Sequence, residues 1–288
     1  MSDMSISWVD FSLNRIIKPF SLSLKKHDFL FLAGETYHNK LLRALAGFLP
    51  DECNCQSAVR LDGQRLKSGD TLKSILLPKN AAESFPPHRA IGDFILDLHK
   101  NMTKKKLKDY AARHGIENSV LWSKPSKISL KVLQKISLWL CSLNTNTAIF
   151  IEEPDGGFFD ECRPYDFLQD LLRKGTIGSV VYLASKKETI LQKASKMQFC
   201  RTRLAVFCAD RLVEEGEFDK ILANPVHAYT REWLKFGVIE PRKKGALWQY
   251  CSPTCTELHN CPAKQKENNS LIDCEPVGLH KVICKGFF

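Results

Sequence analysis

Short apolar strands set among helical segments are the feature that most limits the fold of this chain. Three compact apolar stretches occur at residues 148–151, 179–184 and 204–208. Helical spacing of apolar residues dominates residues 88–145. Strands that are apolar on both faces are typical of parallel sheets covered by helices. The pattern therefore predicts an α/β fold built on a largely parallel sheet.

Two carboxylates end the first of these strands. The apolar stretch at residues 148–151 runs directly into Glu152, Glu153 and Pro154. Ligands of α/β proteins bind at the carboxyl ends of the strands, so this pair lies where a ligand is expected. In a nucleotide hydrolase the first carboxylate would hold Mg²⁺ and the second would orient the attacking water. Surface acids after a strand are the alternative interpretation of this stretch alone.

A second polar stretch follows an alternating, strand-like segment at residues 6–32. A strand, a turn and a helix form the scaffold of phosphate loops of the form G-x-x-x-x-G-K-[ST]. The first glycine and the lysine are present, whereas Asn39 and Leu41 replace the second glycine and the hydroxyl residue. A polar turn before a helix therefore remains an alternative. The stretch consists of Gly34, Glu35, Thr36, Tyr37, His38, Asn39, Lys40 and Leu41.

The charge of the chain is less specific. With 42 Lys and Arg against 32 Asp and Glu, the net charge of +10 fits nucleic acid, an anionic surface or solubility. The lysine-rich segment at residues 104–108 lacks interleaved aromatic residues for base stacking, so nucleic acid is not expected as a partner. No stretch approaches the roughly 18 apolar residues of a membrane span, and no signal-peptide pattern opens the sequence, so a cytosolic chain is expected.

The cysteines concentrate near the C-terminus. Five of the eleven lie between residues 251 and 284, where the composition turns polar and rich in Cys, Pro and Lys. A reducing compartment disfavours disulfides, so clustered thiolates indicate zinc or iron–sulfur ligation. A boundary near residue 240 is predicted, with a first domain at 1–240 and a Cys-rich module at 241–288.

In its order of motifs the chain resembles ATPase subunits of ATP-binding-cassette (ABC) transporters, in the oligopeptide, dipeptide and nickel importer branch. The resemblance runs from about residue 20 to the C-terminus and places a helical subdomain at about 88–145. It aligns Lys79 with a glutamine of the family, Ser129 with the signature sequence, and Lys186 with a histidine. The segment 224–234, NPVHAYTREWL, is similar to the branch-specific P-x-H-P-Y-T-x-x-L.

This resemblance implies a P-loop NTPase-like ABC fold, a mixed sheet with a helical subdomain, which binds ATP with Mg²⁺. It implies Glu152 and Glu153 as the catalytic carboxylates, and a nucleotide site formed by residues 34–41, Lys79, Ser129 and Lys186. The implied partners are a second ATPase subunit, two membrane permeases and, indirectly, a solute-binding protein. The implied location is peripheral, on the cytoplasmic side of the inner or plasma membrane.

The chain departs from the family at several nucleotide positions. Leu41 cannot bind Mg²⁺, and Lys79 and Lys186 replace the glutamine and histidine that organise the attacking water and the γ-phosphate. Weak or absent hydrolysis is therefore expected, with peptide transport as the process served. The alternative is a non-catalytic scaffold, or a metal- or redox-sensing regulatory subunit on the same fold.

The tail also resembles the branch, which often ends in a four-cysteine module. The spacing implies Cys255, Cys261, Cys274 and Cys284 as ligands of an iron–sulfur cluster or of Zn²⁺. Both metal centres remain open, and Cys251 is a possible substitute for Cys255.

Overall fold

A computed structural model describes residues 5–13, 17–34, 38–48, 55–66, 72–143, 146–153, 163–184, 186–197, 200–208, 211–237 and 281–282. The strands within these ranges are β1 (Ser5–Leu13), β2 (Ile17–Lys25), β3 (Asp28–Gly34), β4 (Cys55–Leu61), β5 (Gln64–Arg65), β6 (Ser74–Leu77), β7 (Asn146–Glu152), β8 (Ile177–Leu183), β9 (Arg201–Cys208), β10 (Arg211–Glu217) and β11 (Lys281–Val282). The helices are α1 (His38–Leu45), α2 (Ile91–Leu98), α3 (Lys104–Arg113), α4 (Asn118–Leu121), α5 (Leu130–Leu140), α6 (Arg163–Arg173), α7 (Lys187–Ala194), α8 (Phe218–Ala223) and α9 (Ala228–Phe236), with 3-10 turns at Ala81–Ser84 and Pro125–Lys127.

The larger sheet has the order β11-β10-β9-β3-β8-β7-β6. The five strands from β9 to β6 are parallel to one another, and β10 and β11 add antiparallel pairs at one edge. Every residue of β3 and β8 is buried, as expected for parallel strands covered on both faces. The predicted α/β fold with a mixed, largely parallel sheet is confirmed.

A second, antiparallel sheet has the order β2-β1-β4-β5. Burial nearly alternates along β2, which indicates one face on the core and one toward solvent. Asp62 and Gly63 join β4 to β5 with φ of +51° and +79°, the positive values that a tight two-residue hairpin turn requires. Strands β4 and β5 therefore form a β-hairpin.

The helices α2 to α5 surround an apolar core of their own. Ile91 and Ile95 of α2, Leu107 of α3, and Leu133 and Trp139 of α5 are buried there together. Within residues 88–145, where the sequence shows helical spacing, α2 ends at Leu98 and α5 covers Leu130–Leu140. Met102, Ile128 and Leu143, which lie beyond the helix ends, pack against the same core.

The C-terminal segment touches the edge of the larger sheet. Lys281 and Val282 of β11 pair with Glu215 and Glu214 of β10. The cysteines predicted to bind metal, Cys255, Cys261, Cys274 and Cys284, lie outside the described residues. The metal centre and the boundary near residue 240 therefore remain predictions. Within the described ranges, no helix has the length and apolar character needed to cross a membrane.

Candidate functional site

The two stretches singled out in the sequence meet at the carboxyl edge of the larger sheet. β3 ends at Gly34, whose φ of +128° lies in the region that favours glycine, and α1 begins at His38. β7 ends at Glu152. Only β8 separates β3 from β7, so the two strand ends lie on the order of 10 Å apart. This edge is where α/β proteins bind their ligands.

Helix α1 packs its leucines into the protein. Leu41 and Leu42 are fully buried, in the apolar cluster that also contains Phe150 of β7 and Val181 of β8. Lys40 is exposed, one position before them. The side chain at the motif's hydroxyl position is thus part of the core and offers no oxygen to a ligand.

Glu152 is buried, and both oxygens of its carboxylate accept hydrogen bonds. Its side chain is 1% exposed. Its Oε1 accepts a hydrogen bond from Arg43 Nε at 2.6 Å, and its Oε2 accepts from Arg43 Nη2 at 3.1 Å. The backbone N–H of Lys79 donates to the same Oε2 at 2.9 Å. A guanidinium fork on a carboxylate is among the stronger polar contacts in proteins, and it compensates the burial of the negative charge.

Arg43 also reaches Glu83, in the 3-10 turn Ala81–Ser84. Its Nη2 donates to Glu83 Oε2 at 3.1 Å, between side chains that are 37% and 51% exposed. The hydrogen bond to Glu152 raises the pKa of the Arg43 guanidinium above its ordinary value and outweighs the lowering by burial. We call Arg43, Glu152, Glu83 and the Lys79 amide the carboxyl-end cluster. It ties α1, β7 and the segment after β6 together.

Sequence reasoning identified Glu152 and Lys79 but missed Arg43 and Glu83. One signal was available, since Arg43 follows Lys40 by three residues and falls on the helix face opposite the buried leucines. Its partner could not be read from the sequence, because Glu152 lies 109 residues further along the chain.

Among the residues that the structure describes, those around Glu152 do not fit Mg²⁺. This ion requires a near-octahedral set of oxygen ligands, in proteins commonly one or two carboxylates with waters. Leu41 supplies no oxygen, and the Glu152 carboxylate already carries a positive guanidinium that repels a second cation. The chemistry of the donor set is that of an arginine site and not of a divalent metal site.

The other predicted site residues lie on several elements of the fold. Glu153 follows β7 and is half-buried, whereas Asn39 is exposed on α1. Ser129 and Lys186 are exposed, directly precede α5 and α7, and form no side-chain capping bond. Glu35, Thr36 and Tyr37 lie outside the described residues, as does the side chain of His38. The nucleotide-site assignment of these residues remains a prediction.

Phe11 of β1 is a core residue. It is 1% exposed, and its ring lies 5.4 Å from that of Phe20.

The branch-like segment 224–234 builds the start of α9. Glu214 accepts hydrogen bonds from the backbone N–H groups of Val226 and His227, both at 3.0 Å. His227 Nδ1 accepts from the N–H of Tyr229 at 3.1 Å and so caps the helix. Tyr229 and Thr230 are fully buried. In this structure the similar residues fix a helix against the sheet.

The two sheets and the helix after β3 form a fold that is similar to that of a solved ABC transporter component. A solved structure with this fold is CbiO1 from Clostridium perfringens, part of the ABC transporter complex CbiONQ. The TM-score is 0.58 at 10% sequence identity, covering 77% of this chain and 92% of that chain. No protein-family model and no curated protein matches the sequence. The structural likeness confirms the ABC ATPase fold expected from the motifs.

Proposed function

We propose that the chain is a nucleotide-binding subunit of an ABC transporter. The observation that carries this proposal is the placement of the Lys40 helix and of Glu152-Glu153 at one edge of a sheet with the CbiO1-like fold. ATP is the proposed nucleotide. The proposed partners are a second ATPase subunit and two membrane permeases, on the cytoplasmic face of the membrane.

The proposed subunit hydrolyses ATP weakly or not at all. Glu153 is the remaining candidate base, but lysines stand at the glutamine and histidine positions, and Glu152 is held by Arg43. Loss of one preorganised transition-state donor typically lowers a rate by about 10²–10³. Several losses in one site do not multiply, but a single loss already makes turnover slow.

Peptides are the proposed cargo of the transporter. Support comes from the segment at residues 224–234, whose similarity to the oligopeptide and dipeptide branch includes the helix-capping His227. A solute-binding protein would then deliver the peptide to the permeases.

A non-catalytic scaffold or sensor is the second candidate. It is favoured by the pairing of β11 with β10, which attaches the segment next to Cys284 to the edge of the larger sheet. Metal or redox chemistry at Cys255, Cys261, Cys274 and Cys284 would then act on the ATPase fold directly. An absorption spectrum of anaerobically purified protein separates an iron–sulfur cluster, which is brown, from colourless zinc.

Nucleotide binding and steady-state ATPase assays test the main proposal. We expect the full chain to bind a fluorescent ATP analogue with micromolar affinity, and the purified complex to show little hydrolysis that depends on this subunit. Glu153→Gln is the informative variant. Robust hydrolysis that disappears in Glu153→Gln would contradict the impaired site, and absence of nucleotide binding would leave the scaffold as the function.

A further inference from the structure

We propose that the guanidinium of Arg43 takes the place of the divalent cation in this site, so that the chain binds a metal-free nucleoside triphosphate. The inference rests on the proposed nucleotide-binding function and specifies its ligand. It starts from the observation that the described side chains around Glu152 do not provide the oxygen ligands that Mg²⁺ requires.

The positive guanidinium of Arg43 is bound to the Glu152 carboxylate, which would otherwise attract the metal. Its Nε lies 2.6 Å from Glu152 Oε1, and Glu152 is 1% exposed. A divalent cation would have to displace this guanidinium from a buried carboxylate and leave it with only Glu83, an exposed partner. Breaking a buried ion pair is strongly unfavourable, so we expect the guanidinium to remain bound to Glu152.

The guanidinium keeps donors for a second anion. Arginine carries five N–H groups in a planar fork. Nε and Nη2 are engaged with Glu152 and Glu83, whereas Nη1 has no hydrogen-bond partner among the described residues. The side chain is 37% exposed, so the arginine that carries these N–H groups borders solvent. Arginine is well suited to phosphate because its fork matches two phosphate oxygens.

Further lysines at the same edge supply charge that Mg²⁺ would otherwise bring. Lys40 follows β3 at the start of α1, Lys79 follows β6, and Lys186 follows β8. These strands are parallel, so the lysines belong to the carboxyl edge where Arg43 lies. All three lysines are exposed. A metal-free triphosphate, with its full negative charge, matches such an edge better than a metal-neutralised one does.

Magnesium dependence of nucleotide affinity tests this inference on the unaltered protein. The affinity of the full chain for a ribose-labelled fluorescent ATP is measured by anisotropy, with Mg²⁺ and in magnesium-free buffer prepared on a chelating resin. We expect the two dissociation constants to agree within about twofold, or the metal-free one to be tighter. Binding that weakens tenfold or more without Mg²⁺ would overturn the metal-free site and leave the proposed function standing. Absence of binding in both buffers would contradict the proposed function and this inference together.

Arg43→Gln gives a second, independent readout. In magnesium-free buffer we expect its affinity to fall at least about tenfold, since hydrogen bonds to a charged group are worth roughly this factor. Arg173→Gln is the matched control, because Arg173 is an exposed arginine of α6 paired with Asp170. Its affinity should equal that of the wild type. An unchanged affinity of Arg43→Gln would overturn the proposal.

Mn²⁺ alone, followed by electron paramagnetic resonance, reports on the metal position without any nucleotide. We expect no specific Mn²⁺ binding that depends on Glu152 in the wild type. If Glu152→Gln removes a bound Mn²⁺ from the otherwise unaltered protein, Arg43 does not replace the metal.

Discussion

Two clusters of arginine and carboxylate lie at opposite ends of the central strands. The amino-end cluster, formed by Asp28, Arg201, Arg203 and Glu215, lies where β3 and β9 begin. Asp28 accepts hydrogen bonds from Arg201 Nε at 2.6 Å and from Arg203 Nη1 at 2.8 Å. Arg203 also pairs with Glu215. The chemistry equals that of the carboxyl-end cluster, but the surroundings differ.

The two clusters differ in the burial of one arginine, Arg203. Asp28 and Arg203 are 0% and 9% exposed, and burial lowers the pKa of the Arg203 guanidinium despite the attraction of Asp28. Arg43 is 37% exposed, and its hydrogen bond to Glu152 raises its pKa. In the amino-end cluster Asp28 and Arg203 are closed within the fold and join strands, while Arg201, 41% exposed, borders solvent. The carboxyl-end cluster opens to solvent at a ligand-binding edge and retains donors.

Asp28→Asn is expected to give the largest loss of stability. The substitution leaves the buried Arg203 with Glu215 as its acidic partner, and it removes the negative charge and one of the two acceptor oxygens that two guanidinium groups share. Breaking a buried ion pair typically lowers the free energy of unfolding by about 3–5 kcal/mol. Denaturant unfolding followed by circular dichroism measures the loss.

Asp170→Asn is the control for this change. Asp170 forms ion pairs with Arg173 and Lys174 on the surface, and their hydrogen bonds lower its pKa. Exposed pairs contribute at most about 1 kcal/mol. Similar losses in Asp28→Asn and Asp170→Asn would show that the amino-end cluster does not join the strands.

Arg43→Met is expected to lower stability by less, about 1–3 kcal/mol. It leaves the buried Glu152 carboxylate with one hydrogen bond, from the Lys79 amide. An unpaired buried charged group carries a penalty of this size or more, but Arg43 is 37% exposed and its removal admits water. The same unfolding measurement applies. A loss as large as that of Asp28→Asn would indicate a structural role for both clusters and would erase their difference.

The sequence predicted the strands more reliably than the clusters. A nearly uniform apolar stretch such as residues 179–184 indicates burial on both faces. This is what a strand inside a covered sheet requires, and β8 lies there. The carboxylates after β7 were located by the same logic. The pairing of Arg43 with Glu152 was not predictable, because it joins residues 109 positions apart through the packing of α1 on the sheet. The sequence shows that Leu41 cannot bind metal. It does not show that Leu41 lies in the core, because that depends on which face of α1 packs against the sheet.

Glu83→Gln is expected to have the smallest effect, and its salt dependence sharpens the comparison. Glu83 and Arg43 are 51% and 37% exposed, and Arg43 retains Glu152 when Glu83 loses its charge. The free energy of unfolding should fall by about 0.2–1 kcal/mol at low salt. At 1 M salt the screening length is roughly 3 Å, so this difference should vanish. Most of the loss in Asp28→Asn should persist there, because Asp28 and its partner Arg203 are shielded from solvent ions. Equal salt sensitivity of the two losses would mean that ions reach both ends of the sheet alike, and that solvent access does not distinguish the cluster proposed to bind phosphate.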